Sequence, residues 1–198
     1  MKAAYSFLLC AVGSCLFLAH PVCAGTSQGQ GVTQDEAIAL RQHAAVRAAL
    51  DTIAFAEVGT IGVDGYSRYY GVPPVFAKSL KRHPAIFRYM RVRNRDTYST
   101  SCGRYQFIKR TWDEEVADLG LRDFGPLSQD LAAIDQLVKV GAIENIVRRD
   151  LNGFFSKASK VWASLPGSPY DSPARPAKIL TDTFSVRYAF YRRRGLHG

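Results

Sequence analysis

Glu57 is the residue whose type and position most favour proton-transfer chemistry. It follows Leu50 and Ile53 at helical spacing in a predicted helix that ends near Gly59. Burial beside this apolar stripe and the negative end of the helix dipole both disfavour ionisation, so both raise the pKa of the carboxyl group. A carboxyl group that stays protonated near neutral pH is suited to act as a general acid toward a leaving-group oxygen. A solvated Glu57, or one paired with an arginine, is the alternative.

Two further clusters bring polar and aromatic side chains into turns. The first runs from Ser99 to Phe107 and contains the sequence Gly103-Arg104-Tyr105-Gln106. The second runs from Trp162 to Tyr170, where a tight Pro-Gly turn is expected to present Tyr170 to a ligand. Each cluster by itself is also typical of an ordinary turn.

Basic and aromatic residues alternate in the segment from residue 65 to residue 95, which contains no Asp or Glu. Its glycines and prolines exclude a long helix, so we expect a loop with short strands that forms one wall of a groove. Tyr66 is a candidate ligand contact on that wall. Nucleic acid is another ligand for such a surface. Export of the chain, which its N-terminal sequence predicts, argues against a nucleic-acid partner.

Length and composition indicate one ordinary globular domain. The chain has 198 residues, 26 Lys and Arg against 17 Asp and Glu, 47% hydrophobic residues and 22% charged residues. These proportions exclude an intrinsically disordered, collagen-like or coiled-coil protein. A basic surface is suited to anionic partners.

The first 24 residues have the features of a secretory signal peptide. Lys2 precedes an apolar run, and Val22-Cys23-Ala24 has small residues at the positions that signal peptidase reads. We therefore predict a signal peptide over 1–24, a flexible lead-in over 25–32 and one domain over 33–198, located in the periplasm or secreted. A lipoprotein box at Val12 to Cys15, or retention of the apolar run as a membrane anchor, is the alternative.

Cleavage leaves 174 residues with Cys102 as the one cysteine. Without a partner for a disulfide, Cys102 is predicted to be a buried thiol, and a reactive nucleophile is the alternative. His43, His83 and His197 show no metal-ligand spacing. We therefore expect neither a metal nor a cofactor.

The remaining pattern is mostly helical. Thr33 to Glu36 has the form of a capping box, and one helix is predicted from there to Gly59. Trp112 and Trp162 are predicted to lie in the core. The fold class is therefore α+β, mostly α. Further helices are predicted over 111–119, 128–140, 142–149, 154–165 and from Leu180 to Tyr191, with Gly195 as the last cap.

In their order along the chain, these motifs resemble the phage lambda endolysin family of lysozyme-like lytic transglycosylases. The resemblance extends from about Leu50 to Gly195 and departs from the family pattern at Val58, at Cys102 and in the 65–95 segment. The matching stretches are Ala54 to Thr60, His83-Pro84, Gly103 to Gln106, Leu119 to Pro126 with Ser128 to Asp130, and Trp162 to Gly167 with Tyr170.

The resemblance implies a lysozyme-like fold in which a helical domain faces a small β-containing lobe across a peptidoglycan-binding cleft. It implies that Glu57 is the catalytic acid and that Gln106 and Tyr105 lie near it as substrate-binding residues. It also implies that Tyr170 contacts substrate. Arg104 is expected either to bind a peptide carboxylate of the substrate or to brace the helix that carries Glu57.

The family's reaction cleaves the β-1,4 bond between N-acetylmuramic acid and N-acetylglucosamine. Glu57 would protonate the bridging oxygen and then accept the proton of the muramyl C6 hydroxyl, which closes a 1,6-anhydro ring. A hydrolytic muramidase, with Asp64 or Asp96 as second carboxylate, and a catalytically inactive wall-binding module are the alternatives. The expected partners are glycan strands and an envelope-spanning secretion assembly, and the expected state is a monomer.

Overall fold

The computed structural model describes residues 29–71, 73–92, 95–170 and 173–198. The predicted signal peptide lies outside the described residues. Within them, no helix is long and apolar enough to span a membrane. The helices in the described part of the chain are α1 (Gln34–Leu40), α2 (Ala44–Val58), α3 (Lys109–Leu119), α4 (Pro126–Lys139), α5 (Ile143–Arg148), α6 (Leu151–Ala158) and α7 (Ala177–Arg193), with a 3₁₀ turn at Val63–Ser67 and strands β1 (Arg88–Val92) and β2 (Arg95–Ser99).

Helix α2 is the centre of the helical domain. Alanines supply much of its buried surface, and it makes its most extensive contacts with α7 and further contacts with α4 and α5. Small side chains let neighbouring helix axes approach closely, so α2 is enclosed along most of its length. This packing holds the C-terminal end of α2, where Glu57 lies, in one place.

The chain between Thr33 and Gly59 forms two helices, and the prediction of one continuous helix was wrong. The capping box at Thr33 is present as predicted and begins α1. His43 then caps a new helix, because its Nδ1 accepts the amide of Ala45 at 3.2 Å. The amide of Ala44 donates to the carbonyl of His197 at 2.6 Å, and no local pattern predicts this partner.

The helix predicted over 154–165 differs from the structure at both ends. Helix α6 begins at Leu151 but ends at Ala158, seven residues before the predicted end. The following turns bring Trp162 and Leu165 into the core, and the indole Nε1 of Trp162 donates to the carbonyl of Tyr105 at 3.2 Å.

The small lobe is an antiparallel hairpin of β1 and β2, in which Arg88 pairs with Ser99 and Tyr89 with Tyr98. This confirms the predicted loop with short strands. The backbone of Cys102 pairs with that of Tyr69 in an isolated antiparallel β-bridge, and the Cys102 side chain is fully buried. Burial raises the pKa of the Cys102 thiol to about 12, so the predicted buried thiol is confirmed.

An aromatic cluster fills the core beside the lobe. Trp112 packs edge-on against Phe124 with ring centroids 4.6 Å apart, and the Phe107 ring centroid lies 5.6 Å from that of Trp112. Trp112 and Trp162 are each 3% exposed, which confirms their predicted place in the core. The α+β, mostly α architecture with a small β lobe is confirmed.

Candidate active site

Glu57 is the last but one residue of α2, where Gly59 ends the helix with a φ of 74°. A left-handed backbone at this position allows the chain to leave the helix immediately after the glutamate. Burial raises the pKa of the Glu57 carboxyl group, and this is the largest influence on it. The direction is the one that the sequence predicts.

Ser164 supplies the hydrogen bonds that Glu57 accepts. Its hydroxyl and, at 3.4 Å, its backbone amide both donate to Glu57 Oε1. Both bonds stabilise the carboxylate and lower the pKa of Glu57, against the larger effect of burial. Ser164 was missed among the sequence-derived site residues, although it lies inside the Trp162 to Tyr170 cluster.

Arg175 is the second residue that the sequence did not single out. Its Nε donates to the carbonyl of Ala56 at 3.2 Å, and its guanidinium lies 5.5 Å from the Phe55 ring centre. Its backbone amide donates to the carbonyl of Ser164 at 2.8 Å. The positive charge lowers the pKa of Glu57 and opposes the negative end of the α2 dipole.

Gln106 is connected to the end of α2 through one arginine. Its Nε2 donates to the carbonyls of Gly103 at 2.8 Å and of Arg68 at 3.1 Å. The Arg68 guanidinium in turn donates to the carbonyl of Val58 at 2.8 Å. The Oε1 atom of Gln106 is buried and has no hydrogen-bond partner among the described residues. Gln106 therefore keeps one acceptor free.

Arg104 braces the site. It is 3% exposed, its Nη2 binds Asp51 Oδ1 at 2.5 Å, and its Nη1 donates to the carbonyls of Ile61 and Gly62 at 2.8 and 3.1 Å. These contacts join the middle of α2 to the segment that follows Glu57. Of the two roles that the sequence left open, the structure supports the brace, because a side chain so enclosed presents little surface to a substrate.

Tyr105 and Tyr66 share one carboxylate. Their hydroxyl groups donate to Asp130 Oδ1 at 2.6 and 2.7 Å. Tyr105 is 1% exposed, so we revise the expectation that it contacts substrate: its place is in the core behind the site. Tyr66 is partly exposed, with the Arg104 guanidinium 5.0 Å from its ring centre.

Tyr170 remains open to solvent. Its side chain is 51% exposed, and its hydroxyl donates to the carbonyl of Lys160 at 2.7 Å. That bond orients the ring without covering it. Tyr170 is therefore the one sequence-derived aromatic candidate with a largely free face.

The two candidates for a second carboxylate lie at the surface. Asp64 is exposed in the 3₁₀ turn. Asp96, on β2, accepts the Tyr89 hydroxyl at 2.6 Å and lies 3.8 Å from the Arg91 guanidinium. Within the described residues, Glu57 accepts side-chain and backbone hydrogen bonds from Ser164, and neither aspartate contacts it. Both side chains are solvated, Asp64 in a turn and Asp96 on a strand.

The carboxylates of Glu115, Asp118 and Asp135 come close enough together to suggest a cation site. The Lys139 ammonium lies among them, at 2.8, 2.7 and 2.6 Å respectively. Lysine therefore supplies the positive charge that three clustered carboxylates need. Burial raises the pKa of Glu115 to about 7.

A helical domain with a partly buried, hydrogen-bonded glutamate at the end of its central helix, beside a small β-hairpin lobe, defines a lysozyme-like protein. The family model Endolysin matches residues 47–189, and the chain belongs to this family. The endolysin of Escherichia phage lambda is 37% identical over 142 residues, which are 70% of this chain and 87% of the relative. The endolysin of Escherichia phage P2 is 38% identical over 102 residues, 50% of this chain and 61% of the relative.

Solved structures agree with the sequence comparison. The lysozyme of bacteriophage lambda, in complex with a chitohexasaccharide, superposes with a TM-score of 0.64 at 30% identity, covering 73% of this chain and 94% of that protein. A second structure of lysozyme from bacteriophage lambda has a TM-score of 0.57 at 28% identity, with coverages of 75% and 94%. As an endolysin, the chain is a peptidoglycan-cleaving lytic enzyme.

Proposed function

We propose that this chain is an exported lytic transglycosylase that cuts the β-1,4 bond between N-acetylmuramic acid and N-acetylglucosamine. The observation that carries the proposal is the state of Glu57. Burial raises the pKa of this carboxyl group, Ser164 holds it, and no second carboxylate among the described residues contacts it. In the proposed reaction, this one carboxyl group acts in both halves.

In the first half, protonated Glu57 donates its proton to the bridging oxygen, and the bond from that oxygen to muramyl C1 breaks. The N-acetylglucosamine side leaves as an alcohol, and positive charge develops at C1. Burial favours this step because it keeps the proton on the carboxyl group until a bridging oxygen of suitable geometry arrives.

In the second half, the Glu57 carboxylate accepts the proton of the muramyl C6 hydroxyl while that oxygen bonds to C1. The product is a 1,6-anhydro ring, and Glu57 is protonated again. Attack within one molecule is favoured by a high effective concentration, so a second carboxylate to activate water is not required. The Ser164 bonds and the Arg175 charge stabilise the carboxylate that exists between the two halves.

Glycan strands are the proposed substrate. The chitohexasaccharide bound to the lambda lysozyme supports a β-1,4-linked amino-sugar ligand for this family. In this chain, the exposed ring of Tyr170 is a proposed contact by stacking on a sugar, and the partly exposed Gln106 is a proposed polar contact. Tyr66 is a further proposed contact.

Export completes the proposal. We propose cleavage after Ala24, a lead-in over 25–32 and a monomeric catalytic domain over 33–198, which acts in the periplasm or outside the cell. The Thr33 capping box supports the start of the domain. An enzyme that reaches the wall through its own signal is suited to open a gap for an envelope-spanning secretion assembly. Sequencing the N-terminus of the exported protein tests the cleavage site, for which Gly25 is expected.

Mass spectrometry of muropeptides released from purified peptidoglycan tests the reaction. A transglycosylase releases products with anhydro-muramyl ends, one water lighter than hydrolytic products. Reducing muramyl ends would instead establish a hydrolytic muramidase and direct attention to Asp64 and Asp96. Absence of any release would support a wall-binding module without catalysis.

A further inference from the structure

Two adjoining cavities have walls to which Glu57 does not contribute. Their volumes are about 450 and 540 Å³, and they share Lys81, Arg82 and Pro84 in their walls. We call the two together the basic groove. Each is large enough for several residues of a flexible ligand. The cations that line the basic groove are Lys78, Lys81, Arg82, Lys109 and Arg122.

Most of these cations are free to bind a ligand. Lys78, Lys81, Arg82 and Arg122 are exposed and form no ion pair with any described residue. Lys109 is paired with Asp113. A concave wall with four unpaired cations has a positive potential that attracts anions.

The acidic residues of the basic groove do not cancel this charge. Asp113 is engaged by Lys109. Asp123 accepts the amide of Gly125 at 2.8 Å and the Ser128 hydroxyl at 2.7 Å, which fixes it at the start of α4. The five cations of the basic groove outnumber these two carboxylates, so the groove keeps a net positive charge.

Hydrogen bonds and ring packing hold His83, one of the residues that line the basic groove. His83 is 3% exposed, its Nε2 is hydrogen-bonded to the carbonyl of Phe107 at 2.9 Å, and its Nδ1 accepts the amide of Ala85 at 3.1 Å. Its ring also packs against Phe124 with centroids 4.7 Å apart. A preformed wall binds a ligand without the cost of ordering it first.

We propose that the basic groove binds the carboxylate-bearing peptide stems of peptidoglycan, as a second contact with the wall separate from the glycan site. This inference rests on the proposed substrate of Glu57. Each muramyl residue carries a lactyl-linked peptide with free carboxylates, so the strand held at Glu57 also provides ligands for the basic groove. The concave shape favours a polymer side chain over a flat lipid surface.

Two contacts on one polymer strengthen each other. A glycan strand bound at one site presents its own stems at high local concentration to the other, so weak ion pairs add substantially to retention. Because the ion pairs are exposed, binding through the basic groove should weaken as salt rises.

The test compares binding of catalytically blocked proteins to purified sacculi. In the Glu57→Gln background, Lys81→Ala, Arg82→Ala and Arg122→Ala are combined. The matched control combines Arg148→Ala, Lys178→Ala and Arg193→Ala, which removes the same charge from exposed positions on α5 and α7. Thermal unfolding checks that both variants are folded.

We call the protein with Lys81, Arg82 and Arg122 replaced the groove variant, and the Glu57→Gln protein its parent. We expect the groove variant to bind intact sacculi about tenfold more weakly than its parent at low salt, a size that follows from the loss of three modest ion pairs. The matched control should bind nearly as the parent does. On sacculi stripped of stems by an amidase, parent and groove variant should bind equally.

Equal loss in the groove variant and the matched control would overturn the proposal, since general charge would then explain binding. A groove effect that survives removal of the stems, or that appears only with anionic lipid vesicles, would also overturn it. Failure of the proposed catalysis is distinguishable, because it would appear as absence of muropeptide release by the unmutated enzyme, whatever the sacculus binding.

Discussion

Ser164 lies 107 residues beyond Glu57 in the chain, yet its hydroxyl and its amide both donate to one oxygen of the Glu57 carboxyl group. The turn that carries Ser164 is tied to Arg175, whose Nε reaches the carbonyl of Ala56. Three segments therefore meet at the last turn of α2. Burial raises the pKa of Glu57, while Ser164 and Arg175 limit the rise. That balance is suited to a group that acts first as an acid and then as a base.

Replacing the catalytic carboxyl group is the first prediction. Glu57→Gln should lower kcat by about 10²- to 10⁴-fold, the usual contribution of a general acid, because the amide has no acidic proton to donate. Muropeptide release measures the loss, and thermal unfolding should show a folded protein. Asp64→Asn and Asp96→Asn are the controls and should have little effect. Substantial turnover by Glu57→Gln would exclude the proposed mechanism.

Removing the hydroxyl that holds Glu57 is the second prediction. Ser164→Ala loses a bond that stabilises the carboxylate, so the pKa of Glu57 should rise further and the alkaline limb of the kcat/KM profile should move to higher pH. We expect kcat to fall by about tenfold, the size of one charge-assisted hydrogen bond. Ser156→Ala, at an exposed position on α6, is the control. An unshifted profile would mean that Ser164 does not act on Glu57.

Removing the positive charge beside Glu57 is the third prediction. Arg175→Gln should move the alkaline limb in the same direction as Ser164→Ala, because the guanidinium lowers the pKa of Glu57. Arg175→Lys keeps the charge and should restore most of the original profile. The measurement is kcat/KM against pH at low and high salt, since screening should reduce the difference between the two variants. Identical pH profiles of kcat/KM for Arg175→Gln and Arg175→Lys would exclude an electrostatic role for Arg175.

The Arg104 brace gives the fourth prediction. Its guanidinium binds Asp51, whose other oxygen accepts Arg187 Nε at 2.5 Å and the Tyr191 hydroxyl at 2.8 Å. Arg104→Met leaves Asp51 with Arg187 and Tyr191 as its remaining partners and should lower the free energy of unfolding by about 1.5–3 kcal/mol, the size of one charge-assisted hydrogen bond. Urea denaturation measures this change. Arg110→Met, at a largely exposed position, should cost far less. A loss no larger than that of the control would contradict the brace.

The fifth prediction concerns pH and stability. Burial raises the pKa of Glu115 from 4.5 to about 7, so the folded protein binds more protons than the unfolded chain between these values. The contribution of Glu115 to the free energy of unfolding should therefore decrease as pH rises from 4.5 to 7. Glu115→Gln should flatten this dependence in urea denaturation series, whereas Glu114→Gln, at an exposed position, should not. An unchanged slope in Glu115→Gln would count against the shift.

Local chemistry determined much of what the sequence predicted correctly. The Thr33 capping box, the left-handed Gly59 that ends α2 and strand β1 near the end of the basic segment depend on side chains only a few residues apart. Burial of Cys102 and Trp112 follows from residue type and local pattern. The order of the motifs was sufficient to identify the family.

Tertiary packing decided the rest. The break before α2 uses the carbonyl of His197, and the early end of α6 brings Trp162 to the carbonyl of Tyr105. Likewise, the hydrogen bonds on Glu57 come from Ser164, and only folding distinguishes Arg104 as a brace from Arg104 as a ligand. Each of these contacts joins residues far apart in the chain. Their partners are selected by how helices and turns pack, and that packing leaves no periodic or spacing pattern in the sequence.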